Sequence, residues 1–187
     1  MLYLASQSPR RRLLLRQLKR PFRVVRSTHR EIIRRALSPS ANAMRNAIGK
    51  ARKAQLPRGA NDLVIGADTF LYFRGRVIGK PKTMRHAHQL LRALSGRSHW
   101  VYTGVCLRDA TTGRMRASYA RTKVTFQRLT DEEIARLLQR VSPLDKAGGY
   151  AIQGDRGRLI ARIEGSRTNV IGLPMELVRR ELARFLA

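Results

Sequence analysis

Three stretches of this chain place chemically useful side chains at positions where a fold can aim them. Asp68 follows the apolar run Leu63-Val64-Ile65-Gly66-Ala67 and precedes Thr69, so a carboxylate and a hydroxyl stand at the end of a buried-type strand. Ligands of open α/β sheets gather at the carboxyl ends of strands, which makes Asp68 a candidate base or metal ligand. A turn Asp that stabilises the strand exit accounts for the residue equally well when the strand is read alone. At the start of the chain, Leu2-Tyr3-Leu4-Ala5 breaks into Ser6-Gln7-Ser8-Pro9-Arg10-Arg11 before a leucine-rich helical pattern. Ser8 suits the N-cap and Pro9 the first turn, and the free N–H groups there favour an anion such as phosphate, with Arg10 and Arg11 as forked donors. A capped surface helix with solvated arginines explains that segment as well. Asp145-Lys146, just before a pair of glycines, adds a third carboxylate and cation.

Glu31, Lys50 on a helical pattern and Lys80 before a proline complete a set that resembles a nucleotide site. Phosphate cleavage needs cations against the departing charge, a divalent metal held by carboxylate, and a base or orienter for the attacking water. The set contains each part.

The elements that must position these groups read as an α/β domain. Strands are expected at residues 2–5, 22–26, 62–69, 99–108, 116–127 and 158–163, with a hairpin over 70–79 turning at Arg74-Gly75. Helices are expected after Ser8, over 40–55, after Thr83 to near Gly96, after the capping box Thr130-Asp131-Glu132-Glu133, and from 174 to 186. Strands and helices alternate first and a long hairpin follows, which points to a mixed, twisted sheet flanked by helices. No internal repeat or linker divides the 187 residues, so one domain is expected, with room for two lobes around a central cleft.

Composition narrows the class further. Cys106 is the only cysteine, which excludes an intrachain disulfide and a Cys-rich zinc site. His86 and His88, two apart on a helix, do not share a face, so a metal pair is rejected; His29 and His99 have no local partners. No apolar stretch spans a bilayer and no secretory leader pattern opens the chain, so a cytoplasmic protein without a membrane partner is expected. With 39 Lys and Arg against 12 Asp and Glu, the formal charge is +27. That field attracts nucleotides or, non-specifically, nucleic acid, and makes association salt-dependent. The rarity of acids concentrates attention on Glu31, Asp62, Asp68 and Asp145, of which Asp62 is read as only starting a strand; the other acids fall in turns, caps or helical surface patterns.

Leu4-Ala5-Ser6-Gln7-Ser8-Pro9-Arg10-Arg11, Gly66-Ala67-Asp68-Thr69, Gly79-Lys80-Pro81, Leu94-Ser95-Gly96 and Tyr102-Thr103-Gly104-Val105 together resemble the Maf family. The segments from Asp145 to Gly154 and from Gly165 to Pro174 agree, in the family order, so the resemblance covers nearly the whole chain. It implies a fold similar to the inosine triphosphate pyrophosphatases and a nucleoside triphosphate pyrophosphatase that releases a monophosphate and pyrophosphate with Mg²⁺ or Mn²⁺. Asp68 then matches the catalytic proton acceptor. Ser6, Arg10 and Arg11 fall at the phosphate end, Glu31 and Asp68 near metal and water, and Lys50 and Lys80 as phosphate counter-charges. Arg10, Thr69 and Gln153 match the positions that separate the subfamilies, in the combination of the dTTP/UTP type. A homodimer and a house-cleaning role in nucleotide metabolism are also implied. The chain departs from the family where Arg30 replaces an Asp before Glu31 and where Phe70-Leu71 follow Thr69. The rival expectation is a basic nucleic-acid-binding protein or a cell-division regulator on the same fold.

Overall fold

The computed structural model describes residues 1–57, 59, 62–140, 142–144, 146–150 and 158–186; Asp145 and Gln153 lie outside the described residues. In chain order the elements are β1 (Leu2–Ala5), α1 (Pro9–Leu15), β2 (Phe22–Val25), α2 (Pro39–Arg52), β3 (Leu63–Phe73) and β4 (Arg76–Ile78). They continue with α3 (Met84–Leu94), β5 (Ser98–Asp109), β6 (Met115–Phe126), α4 (Asp131–Arg140), β7 (Ile160–Glu164), α5 (Arg167–Ile171) and α6 (Met175–Leu186). Caps explain the helix starts: Ser8, Ser38, Thr83 and Ser166 each accept from a backbone N–H in the first turn, and Thr130 with Glu133 closes the expected capping box.

The strands form one mixed sheet in the order β2-β1-β3-β5-β6-β7, with β4 paired to the far end of β3. β1 runs parallel to β2 and β3, whereas β3, β5, β6 and β7 pair antiparallel in succession. Alternation along the strands sends Leu4, Ile65, Ala67 and Leu107 to one face, against α1 and α6, and Tyr3, Ala5, Val64 and Cys106 to the other, against α2. A third cluster packs α3 and α4 on the β5–β6 end. On the α2 face the helix backbone itself touches the sheet. A Cβ on Gly66 would fall 2.2 Å from the Ala47 carbonyl oxygen, and one on Gly104 2.2 Å from that of Ala43.

Four features differ from the sequence expectation. The strand through Asp68 does not end at Thr69 but continues to Phe73, because β5 pairs with it as far as Tyr72 and β4 takes Leu71 to Phe73. Glu181 is not on a solvated helix face; it is buried and paired with Arg116. His99 is buried against Phe126 and shares a hydrogen bond with the Tyr150 hydroxyl at 2.7 Å, a partner 51 residues away in sequence. The short helix α5 has too few residues for a periodic pattern to announce it.

Candidate active site

The extended β3 explains where the site lies. β5 occupies one edge of β3 from Leu63 to Tyr72. On the opposite edge β1 pairs only as far as Gly66, and β4 begins only at Leu71. Ala67 to Phe70 therefore face a gap in the sheet, and this gap opens into a cleft of about 650 Å³. Asp68 is thus at the carboxyl end of the parallel part of the sheet although it lies in the middle of its own strand.

Ser6, Arg10, Arg11, Glu31, Lys50, Asp68, Thr69 and Lys80 all line this cleft, so every described residue expected at the site from sequence is brought together there. Asp68 and Thr69, adjacent in sequence, leave opposite faces of β3. On the α2 side, Asp68 is 4% exposed and is met by two residues of α2: Lys50 Nζ donates to Oδ1 at 2.8 Å and Asn46 Nδ2 to Oδ2 at 2.9 Å. Lys50 Nζ also caps the Ala67 carbonyl at 3.1 Å, filling part of the gap, and meets Glu31 Oε1 at 2.6 Å. Burial pushes the Asp68 carboxyl up, but the Lys50 ammonium, the Arg11 charge and the Asn46 hydrogen bond outweigh it and hold the group below the ordinary carboxylate range. Asp68 is accordingly ionised at neutral pH.

On the other side, Thr69 Oγ1 is within 2.9 Å of Thr103 Oγ1 and accepts from Arg11 at 2.9 Å. Arg11 is less free than a surface phosphate clamp. It is buried, and its Nε donates to the Gly172 carbonyl at 2.8 Å and an Nη to Ser6 Oγ at 3.2 Å. Its planar fork binds the β1–α1 turn, β3 and the end of α5 into one wall. Burial pushes its guanidinium below the ordinary value, against the pull of Asp68 and Glu31. Lys80, Lys146 and Tyr150 also line the cleft.

Glu31 and Asp68 both direct an oxygen at the Lys50 ammonium, so two hard anionic oxygens converge on one cation-sized position. Among the described residues no group of three His, Cys, Asp or Glu side chains assembles anywhere. Two carboxylates beside an anion-binding cleft fit Mg²⁺ or Mn²⁺, which keep waters and take further ligands from substrate phosphates.

Sequence reasoning missed Asn46 and His29, which line the cleft; Asn42, one turn earlier on α2, does not line it. The available signal was the spacing of Asn42, Asn46 and Lys50, four residues apart on α2 and adjoining the buried stripe Ala43, Ala47 and Ala51. His29, expected to have no local partner, places its ring over the bare Cα of Gly49 and faces Asn46.

A mixed α/β sheet with a gap at the end of its parallel strands, lined by carboxylates, arginines and lysines, defines the class of this domain. Within that class the chain belongs to the Maf-like protein family, which matches residues 1–185. It is 46% identical over 185 residues to a protein of Moorella thermoacetica named dTTP/UTP pyrophosphatase, covering 98% of this chain and 94% of the relative. Proteins of the same name from Desulfitobacterium hafniense and Bacillus cereus are each 41% identical, covering 98% and 97% of this chain and 84% and 88% of theirs. Among solved structures, that of the Staphylococcus aureus Ham1 protein aligns over 97% of both chains with a TM-score of 0.48 and 15% identity.

Proposed function

We propose that this chain hydrolyses nucleoside triphosphates, with dTTP and UTP preferred, to the monophosphate and pyrophosphate. The observation that carries the reading is the convergence of Glu31, Asp68 and Lys50 at the sheet gap, in a chain whose relatives over nearly its full length are named for that activity.

The roles follow from charge. A bound triphosphate carries more negative charge than Lys50 and Arg11 alone can offset, and Arg10, Lys80 and Lys146 line the same cleft. A divalent cation held by Glu31 and Asp68 supplies additional neutralisation of phosphate charge when bound. Asp68 accepts a proton from the attacking water as the α–β phosphoanhydride bond breaks, and Lys50 and Lys80 offset the charge that collects on the departing pyrophosphate. Ser6, Arg10 and Arg11 hold the phosphate end. Thr69 acts on base choice through the wall it forms with Arg11 and Thr103, and Gln153 completes the specificity set with its paired amide donor and acceptor. The reading includes a homodimeric, single-domain, cytoplasmic enzyme that clears nucleotides. The charge of +27 supports additional non-specific nucleic-acid binding. Among the described residues no helix is long and apolar enough to cross a membrane.

The test is pyrophosphate release from dTTP, UTP, CTP, GTP and 7-methyl-GTP with Mg²⁺ or Mn²⁺, beside Asp68→Asn. Cleavage led by dTTP and UTP, with kcat reduced about 10²–10⁴-fold in the variant, is expected. Another preferred base removes the specificity reading, and normal turnover by Asp68→Asn removes the role of Asp68.

A further inference from the structure

The segment that carries Glu31 has little of its own to hold it. Its backbone is tied at one end by Thr28 N–H donating to the Lys53 carbonyl at 3.1 Å, and the Glu31 side chain is half exposed. Two asparagines one turn apart on α2 hold the rest. Asn42 accepts from Arg34 N–H at 2.8 Å and donates to the carbonyls of Arg34, Leu37 and Ser38. Asn46, fully buried, accepts from Ile32 N–H at 3.2 Å, faces His29 Nε2 at 3.3 Å, and donates to Asp68 Oδ2. The backbone N–H can only donate and the ionised carboxylate can only accept, so the amide has a single orientation, with oxygen toward the Glu31 segment and nitrogen toward Asp68. His29 must then donate from Nε2.

We propose that Asn46 is a positioning residue for the hydrolysis, joining the Glu31 segment to Asp68 so that carboxylates from two different elements keep one fixed separation. The proposal rests on reading the cleft as a triphosphate site that takes a divalent cation. Lys50 also touches both carboxylates, but as the cation between them. Asn46 instead grips the backbone of one element and the outer oxygen of the other, which leaves Asp68 Oδ1 and the Glu31 carboxylate turned to the cation position. An amide suits this place because it offers an acceptor and a donor in one plane. A leucine of similar size removes both, and an aspartate sets a like charge against Asp68.

Asn42 provides the control, since it pins the same segment at Arg34 to Ser38 without contact to Asp68. Mn²⁺ affinity of the protein alone, read by electron paramagnetic resonance, and kcat and KM for dTTP are measured for the native chain, Asn46→Leu and Asn42→Ala. In Asn46→Leu, Mn²⁺ affinity and kcat are expected to fall about tenfold or more with KM within about twofold, whereas Asn42→Ala keeps all three within about threefold. Native-like Mn²⁺ binding and kcat in Asn46→Leu overturn the proposal, as does an equal loss in Asn42→Ala. If the native chain binds Mn²⁺ but cleaves no triphosphate, the reading of function falls, while the Mn²⁺ comparison still decides the role of Asn46. Hydrogen exchange of the native protein gives an answer that needs no variant: the Ile32 amide is expected to be protected, and exchange at the free-peptide rate overturns the proposal.

Discussion

Asp68 and His99 are two buried titratable groups set to opposite uses. Asp68 keeps its charge in the interior because Lys50, Arg11 and Asn46 surround it, and that charge is available for chemistry. Among the described residues His99 has no charged partner. Burial pushes its pKa from 6.5 to about 4, and the ring stays neutral beside Tyr150, with Nδ1 unpartnered among the described residues. In the unfolded chain His99 takes its proton near pH 6.5, so between 6.5 and 4 the unfolded state binds more protons than the folded one. Its contribution to stability is complete above pH 6.5, declines as pH falls toward 4, and changes no further below. The melting temperature of the native protein is expected to drop across that window, and His99→Gln, which keeps a hydrogen-bonding group but does not titrate, to show a shallower slope. Equal slopes would assign the acid sensitivity to other groups. Asp68 and Asn46 also mark the limits of what a single sequence discloses. A carboxylate after an apolar run stands out, since acids are scarce here. An asparagine in an Ala- and Arg-rich helix looks like solvated surface until the sheet beneath it is known.

At the scale of elements, α2 is the part on which the site depends, because it carries Asn46 and Lys50 and sits directly on β3. Gly66 is the contact that permits this. Gly66→Ala places a methyl group against helix backbone rather than against a movable side chain, so α2 must shift. A loss of about 2–3 kcal/mol in denaturant unfolding, with kcat reduced as Lys50 and Asn46 lose registry with Asp68, is the expected result. Gly75→Ala, in the β3–β4 turn where nothing lies within 4 Å of the added carbon, meets only the strain of φ +76 and leaves turnover unchanged. If the two variants behave alike, close packing of α2 is not what sets the site. The boundaries of most elements were legible, because caps and turn residues act locally. The extension of β3 to Phe73 was not. The arm over 70–73 was announced by its Arg74-Gly75 turn, but its continuity with the Asp68 strand is decided by pairing with β5 residues 28 to 32 positions further on.

Across the whole molecule the formal charge is +27, and Arg10, Arg11, Lys50, Lys80 and Lys146 are the basic residues lining a cleft that must receive a polyanion. Long-range attraction of this kind is screened as the Debye length falls from about 10 Å at 0.1 M salt to about 3 Å at 1 M. KM for dTTP is therefore expected to rise severalfold over that range while kcat, governed by contacts inside the cleft, changes little. A KM indifferent to KCl would show that the surface arginines do not steer the substrate. Net charge is visible in any composition, but its distribution is not. Arg11 illustrates the difference, being counted among the free cations of the sequence and found in the structure as a buried brace between three elements.

The packing of α2 over Cys106 has a practical consequence for anyone following this protein in solution. The one thiol of the chain lies fully buried beneath Ala47 and Ala51, and burial pushes its pKa up to about 11. It is inert to alkylating reagents while the helix is seated, and becomes reactive when the helix lifts from the sheet. Labelling kinetics at this single atom thus time the opening of the element that carries Asn46 and Lys50. Slower labelling with a triphosphate and Mg²⁺ present would register occupancy of the cleft through α2, without a chromophore.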